Sequence, residues 1–463
     1  MERSATMERP ATTKETQRVP GEHGQEYAPT PVPPERPCIP LPPGWTDDPY
    51  FKLNPFALAG ATNLSGLPPQ MGTLGRCTRA AEKIAVNYND CFAHAYFAPP
   101  KFGKTYVRGV HIENATLQTP YLNVLPNQMC AVSFHYEQGQ SHAPDLLESV
   151  RPNHDRKEVA ALVHYYGSLP QPLSDILCFT LDGQVQGHRQ RYPHVQTLAI
   201  AWVPWDLGIV GIKHLMGFSE DDETLYGAQF EEMMRTLPAR FTTEDINNAL
   251  ATFPFQNKGI RRVLKKRFAL ALPYLDDQCP PMRSHIKPGR TIVIDIRDGW
   301  LSPKKAMRLF ATLNYVLVMS GDREELPCNL LLCFDEVHKF CKHKEVGTQI
   351  EYFIRERRHL RVSVVVLSQD PMSVPRVILS LLDAVGVFRT DAQEWLDYLG
   401  RQIVAFKNKK VEEFTNLPAG QMILWAREWW EQSGGRELQG VLVQMSVRPR
   451  TSHHGGGTRT AVA

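Results

Sequence analysis

No segment of this chain is long and apolar enough to span a bilayer, and Met1 is followed by Glu2, Arg3 and Ser4, not by a basic and then apolar stretch. The expectation is a chain with no secretory leader and no membrane span, working in the cytoplasm. Cysteine is sparse: nine residues, an odd number, scattered without a paired framework, which fits free thiols in a reducing compartment. A charge bias is missing as well. Lys and Arg total 52 against 49 Asp and Glu, a net of +3, so the whole chain is not a polycation and any nucleic-acid contact must come from local patches. No Ser–His–Asp or Cys–His arrangement stands out, which leaves nucleophilic hydrolysis without a candidate. Cys333, His338, Cys341 and His343 lie close together, but Cys333 falls inside an apolar run, and the spacing does not make a clean zinc site.

What remains is ordinary for a soluble globular protein: 42% hydrophobic and 22% charged residues, over 463 positions that allow one large domain with insertions or two to three modules. Residues 1–50 are rich in Pro, Glu, Thr and Gly, with Pro29-Thr30-Pro31-Val32-Pro33-Pro34 favouring extended backbone, and read as a disordered arm. Residues 51–206 carry the first part of an α/β core, with a helix expected near Arg76–Ala85. Residues 207–288 turn helical: Phe230, Met233, Met234 and Leu237 fall at helical spacing, and Thr242 suits an N-cap. Within them Arg261-Arg262-Val263-Leu264-Lys265-Lys266-Arg267 is either a contact for a nucleic-acid backbone or a solvated helix face. Residues 289–440 resume the core with strands at Thr291–Ile296, Leu330–Phe334, Val362–Leu367 and Val385–Phe388, and a helix opened by Ser302-Pro303. Residues 441–463 form the C-terminal tail, which reads as flexible from about Ser446. Trp425, Trp429 and Trp430 read as core or interface aromatics.

The chain is organised around Leu330-Leu331-Leu332-Cys333-Phe334-Asp335-Glu336. Five apolar residues without polar alternation predict a strand buried on both faces, and ligands of open α/β sheets bind beyond the carboxyl ends of such strands. Two carboxylates there suit a nucleotide hydrolase, Asp335 holding Mg²⁺ and Glu336 polarising the attacking water, or else a plain acidic turn. Upstream, Phe92–Phe97 reads as a strand that leads into Ala98-Pro99-Pro100-Lys101-Phe102-Gly103-Lys104-Thr105, a relaxed phosphate-loop pattern. Gly103 lets backbone N–H groups face phosphate oxygens, Lys104 brings a point charge to the β- and γ-phosphates of ATP, and the Thr105 hydroxyl ligates Mg²⁺. The missing first Gly and Phe102 depart from the pattern. Gln369, at the end of the strand Val362–Leu367, either orients the attacking water or is a turn residue. Arg358 and Arg389 are candidates for stabilising charge in phosphoryl transfer, or ordinary surface ion pairs.

Taken together these landmarks resemble the HerA–FtsK superfamily of ring-forming translocases. The likeness runs through Asp335-Glu336-Val337-His338, Arg355-Glu356-Arg357-Arg358, Ser368-Gln369-Asp370-Pro371, Val387-Phe388-Arg389-Thr390, Leu417-Pro418-Ala419-Gly420-Gln421 and Arg448-Pro449-Arg450…His454-Gly455-Gly456. It covers roughly Phe92 to the C-terminus and is specific mainly in the second half. The resemblance implies a RecA-like P-loop core with a mainly parallel sheet and a helical insertion. It also implies a homo-oligomer, a hexameric ring with ATP and Mg²⁺ between subunits, and double-stranded DNA in a central channel. It implies Arg358 and Arg389 as trans-acting fingers, Arg358 being the closer match. The small β-barrel that usually precedes the phosphate loop is not expected in so short and Pro-rich a region, which weakens the case for a nuclease partner. A mobile-element, conjugation-like or viral packaging role, with a partner to match, fits equally well. The competing reading is a nucleotide-binding scaffold that translocates nothing.

Overall fold

The structure, a computed structural model, describes residues 57–60, 68–78, 83–138, 143–218, 224–299, 301–321, 325–431, 437–439 and 441–455. The arm expected over 1–50 lies outside them. Sixteen strands join one sheet among the described residues. They are β1 (Ala57–Ala59), β2 (Met71–Cys77), β3 (Lys83–Asn87), β4 (Ala93–Phe97), β5 (Asn123–Val124), β6 (Cys130–Glu137), β7 (Asp175–Thr180) and β8 (Gln196–Ala199), then β9 (Arg290–Arg297), β10 (Leu330–Phe334), β11 (Val362–Ser368), β12 (Ala384–Phe388), β13 (Gln421–Ala426), β14 (Glu428–Glu431), β15 (Glu437–Gln439) and β16 (Leu442–Val447).

Every neighbouring pair along β12-β4-β11-β10-β6-β9-β7-β8 is parallel. The reason is in the strands themselves. In β10, Leu330, Leu332 and Phe334 enter one hydrophobic core while Leu331 and Cys333 enter another on the opposite face. In β11, Val362, Val364 and Val366 divide from Val365 and Leu367 in the same way. A strand with no polar face needs helices on both sides. The helix Lys104–Thr116 covers one face through Val107, Val110, Ile112 and Ala115. The helices Pro303–Asn314 and Lys344–Arg355 cover the other through Leu309, Phe310, Leu313, Ile350 and Phe353. This is the RecA-like P-loop architecture that the resemblance implied. Ser302 caps the helix Pro303–Asn314 as its sequence predicts, accepting from the Lys305 N–H.

Between β8 and β9 the chain forms the helices Pro204–Met216, Leu225–Met234, Thr243–Thr252 and Lys258–Ala271. Thr242 and Asp245 close a capping box at the third of them.

Two expectations fail. Arg76–Ala85 is not helical: Arg76 and Cys77 end β2, Lys83 opens β3, and Arg76 pairs with Lys83 in an antiparallel ladder. Gly75, just ahead of that segment, serves close approach. At Gly75 an added Cβ would meet the Ser446 carbonyl at 2.0 Å, because β16 lies directly alongside. The tail is not flexible over 442–455. β16 pairs with β13 and β2, and Arg448, Arg450, Thr451 and Ser452 are buried. Those polar residues looked solvated because their partners, Glu113 and Asp145, lie more than three hundred positions away.

Candidate functional site

The strand order places one strand, β11, between the strand that precedes the lysine loop and the strand that ends in the acids. Because β4, β11 and β10 are parallel, their carboxyl ends deliver Ala98–Thr105, Gln369 and Asp335-Glu336 to one edge. Ala98 is buried and tied to β11 by its N–H on the Ser368 carbonyl, 3.3 Å. Pro99 is half-buried, Pro100 and Lys101 are exposed, and Lys101 holds a φ of 76°. Gly103 follows at φ 112° as N-cap of the helix Lys104–Thr116. That conformation favours glycine, and a Cβ there would also press on the Phe388 ring at 3.1 Å. The Phe102 carbonyl accepts from the Gly420 N–H at 3.2 Å, so the turn after Leu417 backs the loop. No side chain caps this helix. Its first N–H groups and the positive end of its dipole are therefore available to an anion.

Lys104 is buried and forms an ion pair with Glu336. Gln369 donates its side-chain amide to the same carboxylate oxygen at 2.8 Å. Glu336 sits at φ 55°, ψ 52°, a left-handed conformation that is uncommon for a residue with a side chain. The strain is held at the one position where the lysine, the glutamine and the acid meet. His338 approaches the second Glu336 oxygen at 3.2 Å but off the line for a hydrogen bond. Desolvation lowers the His338 pKa from its ordinary value against the pull of Glu336.

Asp335 is held by Arg108, whose Nη1 donates to Oδ2 at 2.9 Å. The other Asp335 oxygen, Oδ1, and the Glu336 Oε2 are buried without a hydrogen-bond partner. Buried carboxylate oxygens left open in this way, with the half-buried Thr105 hydroxyl in the first turn of the helix, are hard donors of the kind Mg²⁺ takes. The donor set fits a magnesium ion.

The two arginines part company. Arg389 follows β12 at the loop's own edge, with its guanidinium 5.3 Å from the centre of the Phe102 ring. It lies beside the loop of its own chain. Arg358 is exposed and precedes β11, at the amino ends of the parallel strands. It lines a depression with Cys91, Arg357, Asp383 and Arg427, on the far edge from Lys104. The chain's own fold does not bring it to the loop.

Sequence reasoning missed the second layer. Arg108 is one turn beyond Lys104 on the same helix face, and that spacing was the available signal. It pairs with Asp145 as well as Asp335. Asp145 in turn accepts from Arg450 at 3.2 Å and lies 3.1 Å from the His454 Nδ1. Arg450 and Arg448 both reach Glu113, at 3.3 and 2.8 Å. Burial pushes Asp145 and Glu113 up, but the surrounding arginines outweigh it and hold both carboxyls below their ordinary range. A charged chain thus runs from the C-terminal residues through the phosphate-loop helix to Asp335.

No family model matches the chain, and no curated protein matches it. Among solved structures it is similar to VirB4 of Thermoanaerobacter pseudethanolicus, with 10% identity over 81% of this chain and 95% of that one and a TM-score of 0.45. It is similar to the bacterial conjugative coupling protein TrwB, with 10% identity over 79% and 86% and a TM-score of 0.43. The genome packaging NTPase B204 of Sulfolobus turreted icosahedral virus 2 shares 14% identity over 34% and 68%, with a TM-score of 0.24. No helix among the described residues is long and apolar enough to cross a membrane.

Proposed function

We propose that this chain is an ATP-driven DNA motor of the HerA–FtsK kind, a P-loop ATPase that hydrolyses ATP at the subunit interfaces of a homo-oligomeric ring in the cytoplasm and moves double-stranded DNA. The observation that carries the reading is the meeting of Lys104, Glu336 and Gln369 over the uncapped start of a helix, delivered by three different parallel strands.

In this reading the loop N–H groups and the helix start receive phosphate oxygens. A triphosphate reaching the loop competes with Glu336 for Lys104. The released carboxylate then takes a hydrogen bond from the attacking water, which Gln369 helps to orient. A magnesium ion held by Thr105 and, through water, by Asp335 would neutralise charge on the β- and γ-phosphate oxygens. Arg108 fixes the Asp335 carboxylate. Arg389 supplies positive charge to the loop of its own chain, and Arg358 is offered across an interface to a neighbour.

ATP turnover measured with and without double-stranded DNA tests the proposal. DNA-stimulated turnover, abolished in Lys104→Ala and in Glu336→Gln, is the expected result. ATP binding with no turnover under either condition overturns the motor. It would favour the scaffold reading, for which one observation speaks: Arg108 already occupies one oxygen of the proposed magnesium acid.

A further inference from the structure

The helical insertion carries a charge pattern that the nucleotide site does not use. Its last long helix, Lys258–Ala271, buries Ile260, Leu264, Phe268 and Ala271 against the core. Lys258, Arg262, Lys265 and Lys266 are exposed on the other side. Their spacing, i, i+4, i+7 and i+8, places all four on one face. With Arg261 they line a single shallow depression.

The other two basic residues of this helix have structural employment. Arg261 donates to the Phe253 carbonyl at 2.8 Å and lies over the Phe255 ring. Arg267 donates to the Gly217 carbonyl at 3.2 Å and lies over the Phe218 ring. Lys258, Arg262, Lys265 and Lys266 have no ion pair or hydrogen bond among the described residues. Of the acids on the two preceding helices, Glu231 is engaged with Lys213 and Arg235, and Asp245 with Thr242.

A solvated helix face ordinarily mixes signs at i, i+4 spacing. Residues 257–275 hold six basic residues and no acidic one. Lys258 and Arg261 fall in the first turn, where the helix dipole disfavours cations. Lys258, Arg262 and Lys266 repel one another along one row. Helix stability therefore does not account for the pattern. A membrane surface is a poor fit, because the apolar face that would have to enter it is already buried in the protein.

We propose that the outer face of Lys258–Ala271 binds the phosphodiester backbone of double-stranded DNA without sequence preference, as a contact separate from the nucleotide site. The choice of DNA as the polyanion rests on the motor reading; the unpaired charge does not. Four cations spread over about 12 Å of helix would face a duplex that carries about one charge per 1.7 Å of its axis.

The test uses the full chain and a combined Lys258→Gln, Arg262→Gln, Lys265→Gln, Lys266→Gln variant. Affinity for a fluorescent random-sequence duplex is read by anisotropy across a salt series. The expected result is at least a tenfold loss of affinity near 0.1 M salt, a log–log salt slope shallower by about 3 to 4, and unchanged ATP turnover in the absence of DNA. The same affinity and slope in both proteins overturns the proposal and leaves the motor reading standing, whereas a wild-type chain that binds no duplex sinks both. Binding to phosphatidylserine–phosphatidylcholine vesicles that is lost in the variant while duplex affinity holds overturns it in favour of a membrane. A drop of several degrees in Tm with duplex affinity unchanged overturns it in favour of an intramolecular partner. The sequence offers Glu220-Asp221-Asp222-Glu223 for that role, outside the described residues.

Discussion

Lys104 and Glu336 hold each other away from the tasks proposed for them. If a triphosphate has to displace the carboxylate, Glu336→Gln should tighten the binding of a non-hydrolysable ATP analogue several-fold while turnover collapses, since the ammonium no longer has an anionic partner. Titration of the two proteins decides this, and equal or weaker binding by the variant removes the competition. A second residue-scale consequence concerns His111, which is fully buried between two phenols, with Tyr88 Oη 2.7 Å from Nδ1 and Tyr96 Oη 2.7 Å from Nε2. Burial, and then Arg448, push its pKa down to about 3. The unfolded chain takes up a proton near pH 6.5 that the folded chain refuses. Stability should therefore fall as pH drops below about 6.5, at up to about 1.4 kcal/mol per pH unit from this residue. Urea unfolding at pH 7 and pH 5 measures the slope, and His111→Gln should flatten it. Parallel slopes in the two proteins would assign the acid sensitivity elsewhere.

The C-terminal strand and the residues after it act as one element with the phosphate-loop helix. Gly109 makes the crossing possible, because a Cβ there would lie 2.5 Å from the Arg450 guanidinium carbon. Arg450 spans Glu113 and Asp145 and also donates to Ser149 and Ser452. Removing its charge leaves two buried carboxylates under-compensated. Arg450→Met should cost about 3–5 kcal/mol, read as a lowered urea midpoint. Glu113 and Asp145 are held below their ordinary pKa, so their contribution is present above about pH 4 and is lost as pH falls through the acid range. The variant's deficit should accordingly shrink on acidification. A deficit that is the same at pH 3 and pH 7 would mean that Arg450 acts by packing alone.

At the scale of the whole molecule, the positions of Arg389 and Arg358 on opposite edges of the parallel strands separate two roles. If Arg358 serves a neighbour, mixing Arg358→Ala chains with Lys104→Ala chains rebuilds some complete interfaces and should recover a measurable fraction of the turnover that each lacks alone. The same mixture made with Arg389→Ala should recover none, because that residue and Lys104 belong to one chain's loop. Native mass spectrometry of the wild type tests the six-membered ring on which the experiment depends. No recovery in either mixture would place Arg358 outside the reaction.

The sequence by itself determined the parts that are local. An apolar run with no polar face dictates a two-sided parallel strand, Gly103 before Lys104 dictates a turn into a helix, and Ser302-Pro303 dictates a helix start. Glu336 and Gln369 could be named in advance because each follows the carboxyl end of such a strand, and Lys104 because it stands in a phosphate-loop pattern. Only the tertiary structure decided what depends on residues brought together from afar. β2 and β3 are strands because each finds partners in the sheet, β2 with β16 and β3, and β3 with β1, and Arg448 and Arg450 are core residues because Glu113 and Asp145 neutralise them there. Arg108 belongs to the site because Asp335 ends a strand two places away in the sheet. Period and composition report the solvent and neighbours a residue meets along its own segment. They do not report a counter-charge some three hundred positions away, and a buried arginine is stable only where one is found.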